Sequence, residues 1–285
     1  MSDILPEVPV SDADSNTRHI YERIMATTGV GSPALIFRHF AIYPGLLDWV
    51  WQIVGPPLES GRITGHALQA VQETSVVSLP AVSLSDMHAC GVDAAAQQII
   101  DAMLGTYNRM NPVNLSLISA IRDLIDPNAE APPPSALPAV EPPPPAVTVN
   151  LPAPLKLDEM RDDVRKAILE LCAAIPSPGT QVIPTLYRHL AIWPDFMMSL
   201  APGLLTAMER GEVEARMADL NAAMQPLIIS VTADARAMNP PPPPLDDPQA
   251  MVRTLNSFLY TIPQLVIVGT ALRAVIPAYG ATNGK

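Results

Sequence analysis

A seven-residue phrase occurs twice in this chain. Arg38-His39-Phe40-Ala41-Ile42-Tyr43-Pro44 is echoed by Arg188-His189-Leu190-Ala191-Ile192-Trp193-Pro194, 150 positions later in a chain of 285. A second pair supports the first: Pro112 and Pro263 lie 151 apart, one followed by Leu115-Ser116-Leu117-Ile118 and the other by Leu265-Val266-Ile267-Val268. Two matches at nearly one offset imply tandem duplication, with two diverged copies of one unit. The expected layout is a first helical repeat over 1–126, a Pro-rich linker over 127–154 and a second helical repeat over 155–285. Two such copies can form separate domains or one pseudo-symmetric body (a pseudo-dimer within one chain). The second is favoured, because the apolar helices of each copy need cover. A residue kept by both copies reads first as scaffold, and a difference between them marks specialisation.

Proline sets the punctuation, with 33 copies. The densest zone, Pro127–Pro154, contains Pro132-Pro133-Pro134 and Pro142 to Pro145. Such a run excludes helix and favours extended polyproline II, a semi-rigid spacer. Its place between the copies favours a linker over a ligand for a proline-reading domain. A second run, Pro240–Pro244, must be a loop inside the second copy. Elsewhere the periodicity is helical. It predicts helices over Thr17–Ala26, Pro33–Tyr43, Thr64–Ser75, Asp93–Asn108 and Pro112–Ile125, with Pro44 opening a further one. In the second copy it predicts Leu157–Ala174, Pro184–Trp193, Pro194–Leu205, Val213–Ala237, Gln249–Tyr260 and Pro263–Ile276. No period-two pattern stands out, so the expected class is all-α.

The formal net charge is -11, and residues 1–142 hold most of the imbalance, with 6 Arg, no Lys and 15 acids. No basic stripe appears, which disfavours nucleic acid and anionic membrane as partners. Cys90 and Cys172 stand alone, so neither a disulfide framework nor a zinc site is expected, in keeping with a reducing cytoplasm. The N-terminus lacks a secretory pattern. The most apolar window, Leu265–Pro277, is interrupted by Arg273 and is too short to span a bilayer. Phosphate loops, Cys-x-x-Cys, His-Glu-x-x-His and Gly-x-Ser-x-Gly are all missing.

Within the doubled phrase, Phe37, Phe40 and Ala41 share one helical face, as do Tyr187, Leu190 and Ala191; all read as core. His39 and His189 are equivalent, and pseudo-twofold symmetry can bring them together. Two imidazoles without a third ligand make a poor metal site, so the favoured reading is that each His bonds a neighbouring segment. Arg38 and Arg188, also duplicated, read as architectural ion-pair formers before anion binders. The copies diverge at Tyr107-Asn108-Arg109-Met110-Asn111-Pro112, which faces Phe258-Leu259-Tyr260-Thr261-Ile262-Pro263 in the alignment of the halves. Asn111 either caps a helix opened by Pro112 or serves a site.

Tyr-Asn-x-x-Asn-Pro followed by Leu-Ser-Leu-Ile-Ser-Ala, the doubled aromatic-Pro phrase, and Ile20-Tyr21-Glu22 together resemble the group I 2-haloacid dehalogenase (DehI) family over nearly the whole chain. The resemblance implies an all-helical pseudo-dimer of two repeats. It also implies hydrolysis of small 2-halocarboxylic acids by direct, inverting attack of water, with no cofactor, no metal and no covalent ester. In that chemistry a carboxylate takes the water's proton, because water is a poor nucleophile at neutral pH, and an Asn fixes its direction of attack. Carried over residue by residue, Asn111 matches the water-holding Asn and Thr185 matches a small hydroxyl residue beside the acid. The acid belongs eight residues before Pro194, where this chain has Leu186. His189, on the same helical face, is the candidate replacement base; Asp195 belongs to the next helix. Tyr107, Leu186 and Phe258 are the expected pocket wall. The readings left open are a hydrolase of carbon–halide bonds, a different enzyme on small organic acids, and a binding protein that kept the pocket. A small carboxylic acid is the expected partner, and a homodimer stays open.

Overall fold

The computed structural model describes residues 5–130, 137–141, 143–144, 150–176, 183–238 and 241–280. Eleven α-helices fill these residues, and among them there is no β-strand. In chain order they are α1 (Ser15–Thr28), α2 (Leu35–Phe40), α3 (Leu46–Glu59), α4 (Arg62–Glu73), α5 (Leu84–Ala89), α6 (Ala94–Ile125), α7 (Asp162–Ala174), α8 (Thr185–Leu190), α9 (Pro194–Glu209), α10 (Glu212–Met238) and α11 (Pro248–Val275). The all-α expectation holds.

Local chemistry sets the ends. α1 starts two residues earlier than expected, because the Asp14 carboxylate accepts the Thr17 N–H at 2.7 Å and caps the helix. Gly29, at φ 71°, closes it in the left-handed region where glycine carries no Cβ penalty. Pro194 is the first residue of α9, where its missing N–H has no helical partner to lose. Pro44 does not play that part. Gly45, at φ 73°, turns the chain after it and α3 begins at Leu46.

The larger correction concerns Pro112 and Pro263. The sequence predicts a break at each, yet α6 and α11 run straight past them. An internal proline removes one helical hydrogen bond and crowds the preceding turn, at a cost near 3 kcal/mol. Tertiary packing offsets that cost: Pro112 and Pro263 are both buried, and the packing of α6 against α11 is the most extensive in the molecule. Asn111 is therefore inside a helix and caps nothing.

The two phrases have one local structure. In each, the three residues after the short helix fold back by hydrogen bonds: Ala41 N–H to Phe37, Ile42 to His39 and Tyr43 to Phe40, then Ala191 to Tyr187, Ile192 to His189 and Trp193 to Leu190. A preceding extended segment is tied to each Arg, with Val8 N–H donating to Arg38 O and Leu155 N–H to Arg188 O.

The buried apolar residues of both halves form one continuous core, reaching from Ala13 to Ile276. α10 contributes to it by packing on α4, α6, α9 and α11. α11 is long and apolar enough to cross a membrane by length and composition, but 67% of that stretch is buried inside the fold. Its apolar surface serves the core. Part of the linker is also held: Val140 lies against Gly65 of α4, where a Cβ would come within 3.0 Å of it, and the Arg109 guanidinium donates to Pro144 O at 3.1 Å. The runs at 132–134 and 145–149 lie outside the described residues.

Candidate functional site

α6 carries Tyr107, Asn111 and Asn114 at i, i+4 and i+7, which places them on one face. Tyr107 reaches α8 from this face. The Tyr107 hydroxyl meets His189 Nδ1 at 2.7 Å, and their rings are 5.7 Å apart. On the other side of the imidazole, His189 Nε2 lies 2.7 Å from Pro152 O. A carbonyl only accepts, so Nε2 carries the hydrogen; Nδ1 is then the acceptor and Tyr107 the donor. The histidine is thus a neutral imidazole with both nitrogens engaged. Burial lowers its pKa from the ordinary 6.5, with Arg188 adding to the shift against the Pro152 bond. Burial also pushes the Tyr107 hydroxyl well above its usual value.

His39 repeats half of this arrangement. Its Nδ1 bonds Pro6 O at 2.7 Å, its ring packs edge-on to Tyr43, and Nε2 has no hydrogen-bond partner. The two imidazoles are each anchored to the segment before their own helix, and among the described residues no group of three metal-ligating side chains exists. Arg38 pairs with Glu7 at 2.6 Å, and Arg188 Nε donates to Leu155 O at 2.8 Å. The duplicated Arg and His side chains are fasteners of the scaffold.

Leu186 is three residues before His189 on α8 and fully buried, and Thr185 opens the helix half-buried. Phe258 is buried on α11. Asp195 is exposed and bonded to Arg161 at 2.7 Å, so it is taken up outside the site. No carboxylate occurs on α8, on α11, or on α6 between Asp101 and Asp123.

The register of α6 against α11 completes the picture. Gln97 donates to Pro277 O and Ala278 O, Asp101 pairs with Arg273, and Asn108 Nδ2 donates to Gly269 O at 3.0 Å. As numbers rise on α6 they fall on α11, so the helices are antiparallel. One further turn sets Asn111 level with residues 263–266. Asn111 Nδ2 and Gln264 Nε2 on these stretches, and Asn114 Oδ1 about one turn further on α6, are buried polar atoms without a hydrogen-bond partner. The Tyr187 hydroxyl and the Gln264 amide approach each other without a well-aligned bond. Each unsatisfied buried group costs about 1–3 kcal/mol.

A cavity of about 440 Å³ opens elsewhere, lined by Arg62, His66, Ser230 and Asp234 and by Leu137 to Val140 of the linker. Its charges are already matched, with Arg62 on Asp234 at 2.5 Å. Asn111 Nδ2 and Gln264 Nε2, near the α6–α11 crossing, are among several buried donors without a well-formed bond, Trp51 Nε1 and Arg109 Nε being others.

Known structures match this architecture. Three solved chains superpose on it with TM-scores of 0.73: a D-2-haloacid dehalogenase mutant in complex with D-2-CPA (17% identity), a D-2-halacid dehalogenase mutant (16%) and a D-2-haloacid dehalogenase with L-LA (17%). Each alignment covers 96% of this chain and at least 96% of the other. The fold is that of the D-2-haloacid dehalogenases. No protein-family model matches the sequence, and neither does any curated protein.

Of the site residues expected from sequence, the structure brings Tyr107 and His189 into contact and places Asn111 one turn further along the same face. Asn114, Gln264 and Pro152 were not anticipated. Asn114 follows from the i, i+4, i+7 spacing once α6 is continued through Pro112. Gln264 is the lone polar residue at the head of an apolar run. Pro152 acts through its backbone carbonyl, which leaves no trace in side-chain identity.

Proposed function

We propose that this chain binds a small 2-substituted carboxylic acid at the crossing of α6 and α11, and that it does not hydrolyse carbon–halide bonds. The observations that carry this reading are the unpartnered, buried Asn111 Nδ2 and the fully buried Leu186. The amide offers N–H groups to a carboxylate, and the leucine offers no lone pair to a water's proton. His189 does not make good the loss directly, because the lone pair on Nδ1 is held by Tyr107. The likeness to dehalogenases supports the scaffold and the size of ligand. The resemblance of the Tyr-Asn-x-x-Asn-Pro segment supports the placement of Asn111.

A second reading draws on the same hydrogen bond. Tyr107 can pass a proton: as water attacks C2 and the halide leaves with the bonding pair, the water's proton goes to the Tyr107 oxygen while the Tyr107 proton moves to His189 Nδ1. Burial disfavours the imidazolium this creates, which ranks the reading below the first.

The test is a titration of the folded protein with both enantiomers of 2-chloropropionate, following thermal stability and halide release together. A rise in melting temperature without halide is expected. Halide release lost in His189→Ala installs the hydrolase reading in its place, and no thermal shift with either enantiomer removes the binding site.

A further inference from the structure

Side chains from both halves fasten the Pro-rich linker along its described course. Arg236 of α10 donates to Ala129 O at 3.2 Å, Arg109 of α6 to Pro144 O at 3.1 Å, and His189 of α8 to Pro152 O at 2.7 Å. The stretch Leu137–Glu141 is held more lightly. It crosses α4 at Gly65, where a Cβ would come within 3.0 Å of Val140 Cγ1 and 3.3 Å of the Glu141 carbonyl oxygen. The Pro138 carbonyl lies against the His66 ring. Between this stretch, α4 and α10 is the cavity of about 440 Å³.

We infer that Leu137–Glu141 is a strap that closes this cavity and that His66 is its latch: the neutral imidazole keeps the strap down, and the imidazolium lets it go.

The strap supplies Leu137 to Val140 as one whole wall of the cavity, with Arg62 and His66 of α4 and Ser230 and Asp234 of α10 opposite. Lifting it turns the cavity into an open groove. Little else ties it down. Among the described residues no backbone hydrogen bond joins 137–141 to the helices, so the seat on Gly65, the packing of Leu137 on the core and the His66 contact make up its hold. Segments with so few fastenings open without unfolding the rest.

His66 is only 8% exposed. Desolvation on burial opposes a charge on its ring, and so does Arg62 one turn earlier on the same helix; the Pro138 carbonyl favours the charge, but less strongly. The charged groups on the surrounding elements are Arg62 on α4, Asp234 on α10, Arg109 on α6 and Glu141 on the strap. Asp234 is paired with Arg62 at 2.5 Å, Arg109 is taken up by Pro144 O, and neither carboxylate bonds the ring. Lifting the strap returns the imidazole to water. Its pKa is lowered while the strap is down, so docking is fully stable above about 6.5 and weakens as pH falls through the lowered value.

A nitroxide on Ala139→Cys, an exposed strap position, reads docking directly in the full-length chain; Cys90→Ser removes the accessible thiol, and Cys172 is buried. The label is expected to be immobile at pH 7.5. Its mobile fraction is expected to rise roughly threefold or more by pH 5.5, with circular dichroism unchanged. His66→Gln keeps an N–H for Pro138 O but does not titrate, and its spectrum is expected to be flat across that range. Gly65→Leu fills the strap's seat with a strong helix former, so α4 is kept and the label is expected to be mobile at both pH values. A label that is mobile already at pH 7.5, or immobile in Gly65→Leu, overturns the strap. A pH-independent spectrum without His66→Gln, or an equal rise with it, overturns the latch.

Discussion

His189 and His39 are one residue of one phrase, but they meet a proline carbonyl through different ring nitrogens, Nε2 in His189 and Nδ1 in His39. Both are buried and tied to a proline carbonyl, but only His189 receives a second bond, from Tyr107. The same scale governs Leu186. Its side chain is wholly apolar and fully buried, so Leu186→Asp places a carboxylate where water does not solvate it. The variant is expected to lose about 3 kcal/mol or more of stability, with the new carboxyl's pKa raised by burial. Where it folds, a carboxylate three residues from His189 supplies the missing proton acceptor. Halide release from 2-chloropropionate is then expected above pH 7, read by a halide electrode beside a denaturation curve. A folded variant without turnover means that the ligand's C2 does not lie near position 186.

At the scale of elements, the long helices α6 and α11 matter most. Each contains a proline that sequence rules read as a boundary, and each continues because its neighbour buries it. Continuation turns Asn111 from a helix cap into an inward-facing amide, and so it creates the candidate site. Pro112→Ala restores an N–H that bonds the Asn108 carbonyl and removes the ring's crowding, a gain of about 3 kcal/mol on propensity alone. Against this stand a small cavity where the ring was buried and a more flexible unfolded chain, together about 2–3 kcal/mol. The two nearly cancel. Pro112→Ala is expected to shift stability by less than about 1 kcal/mol. Thermal melts of wild type and variant check that statement.

At the scale of the whole molecule, one core joins both halves, and its charge state depends on pH through buried histidines. His39, His66 and His189 all have their pKa lowered, first by desolvation on burial. The unfolded chain therefore binds protons that the folded chain refuses. The stability from keeping them neutral is complete above the unfolded value near 6.5 and is lost as pH falls through the folded values. Each histidine contributes at most about 1.4 kcal/mol per pH unit in that window. Denaturation midpoints are expected to fall as pH drops below about 6.5, and less steeply in His39→Gln with His189→Gln. An unchanged slope in that double variant assigns the acid sensitivity to other groups.

The helical class was legible in the residues themselves, because the 3.6-residue period and the proline-rich breaks act locally. The candidate site was legible in part: Tyr107, Asn111 and His189 stood out from the comparison of two phrases and two diverged segments. The sequence also determined that Leu186 cannot accept a proton, since that is a property of the side chain wherever it lies. What only the tertiary structure decided was direction and partnership. Burial held α6 and α11 helical through Pro112 and Pro263 against local preference, and the Pro152 carbonyl chose which nitrogen of His189 carries its hydrogen. Contacts of that kind join groups far apart in the chain, often through the backbone, and no single residue's identity encodes them.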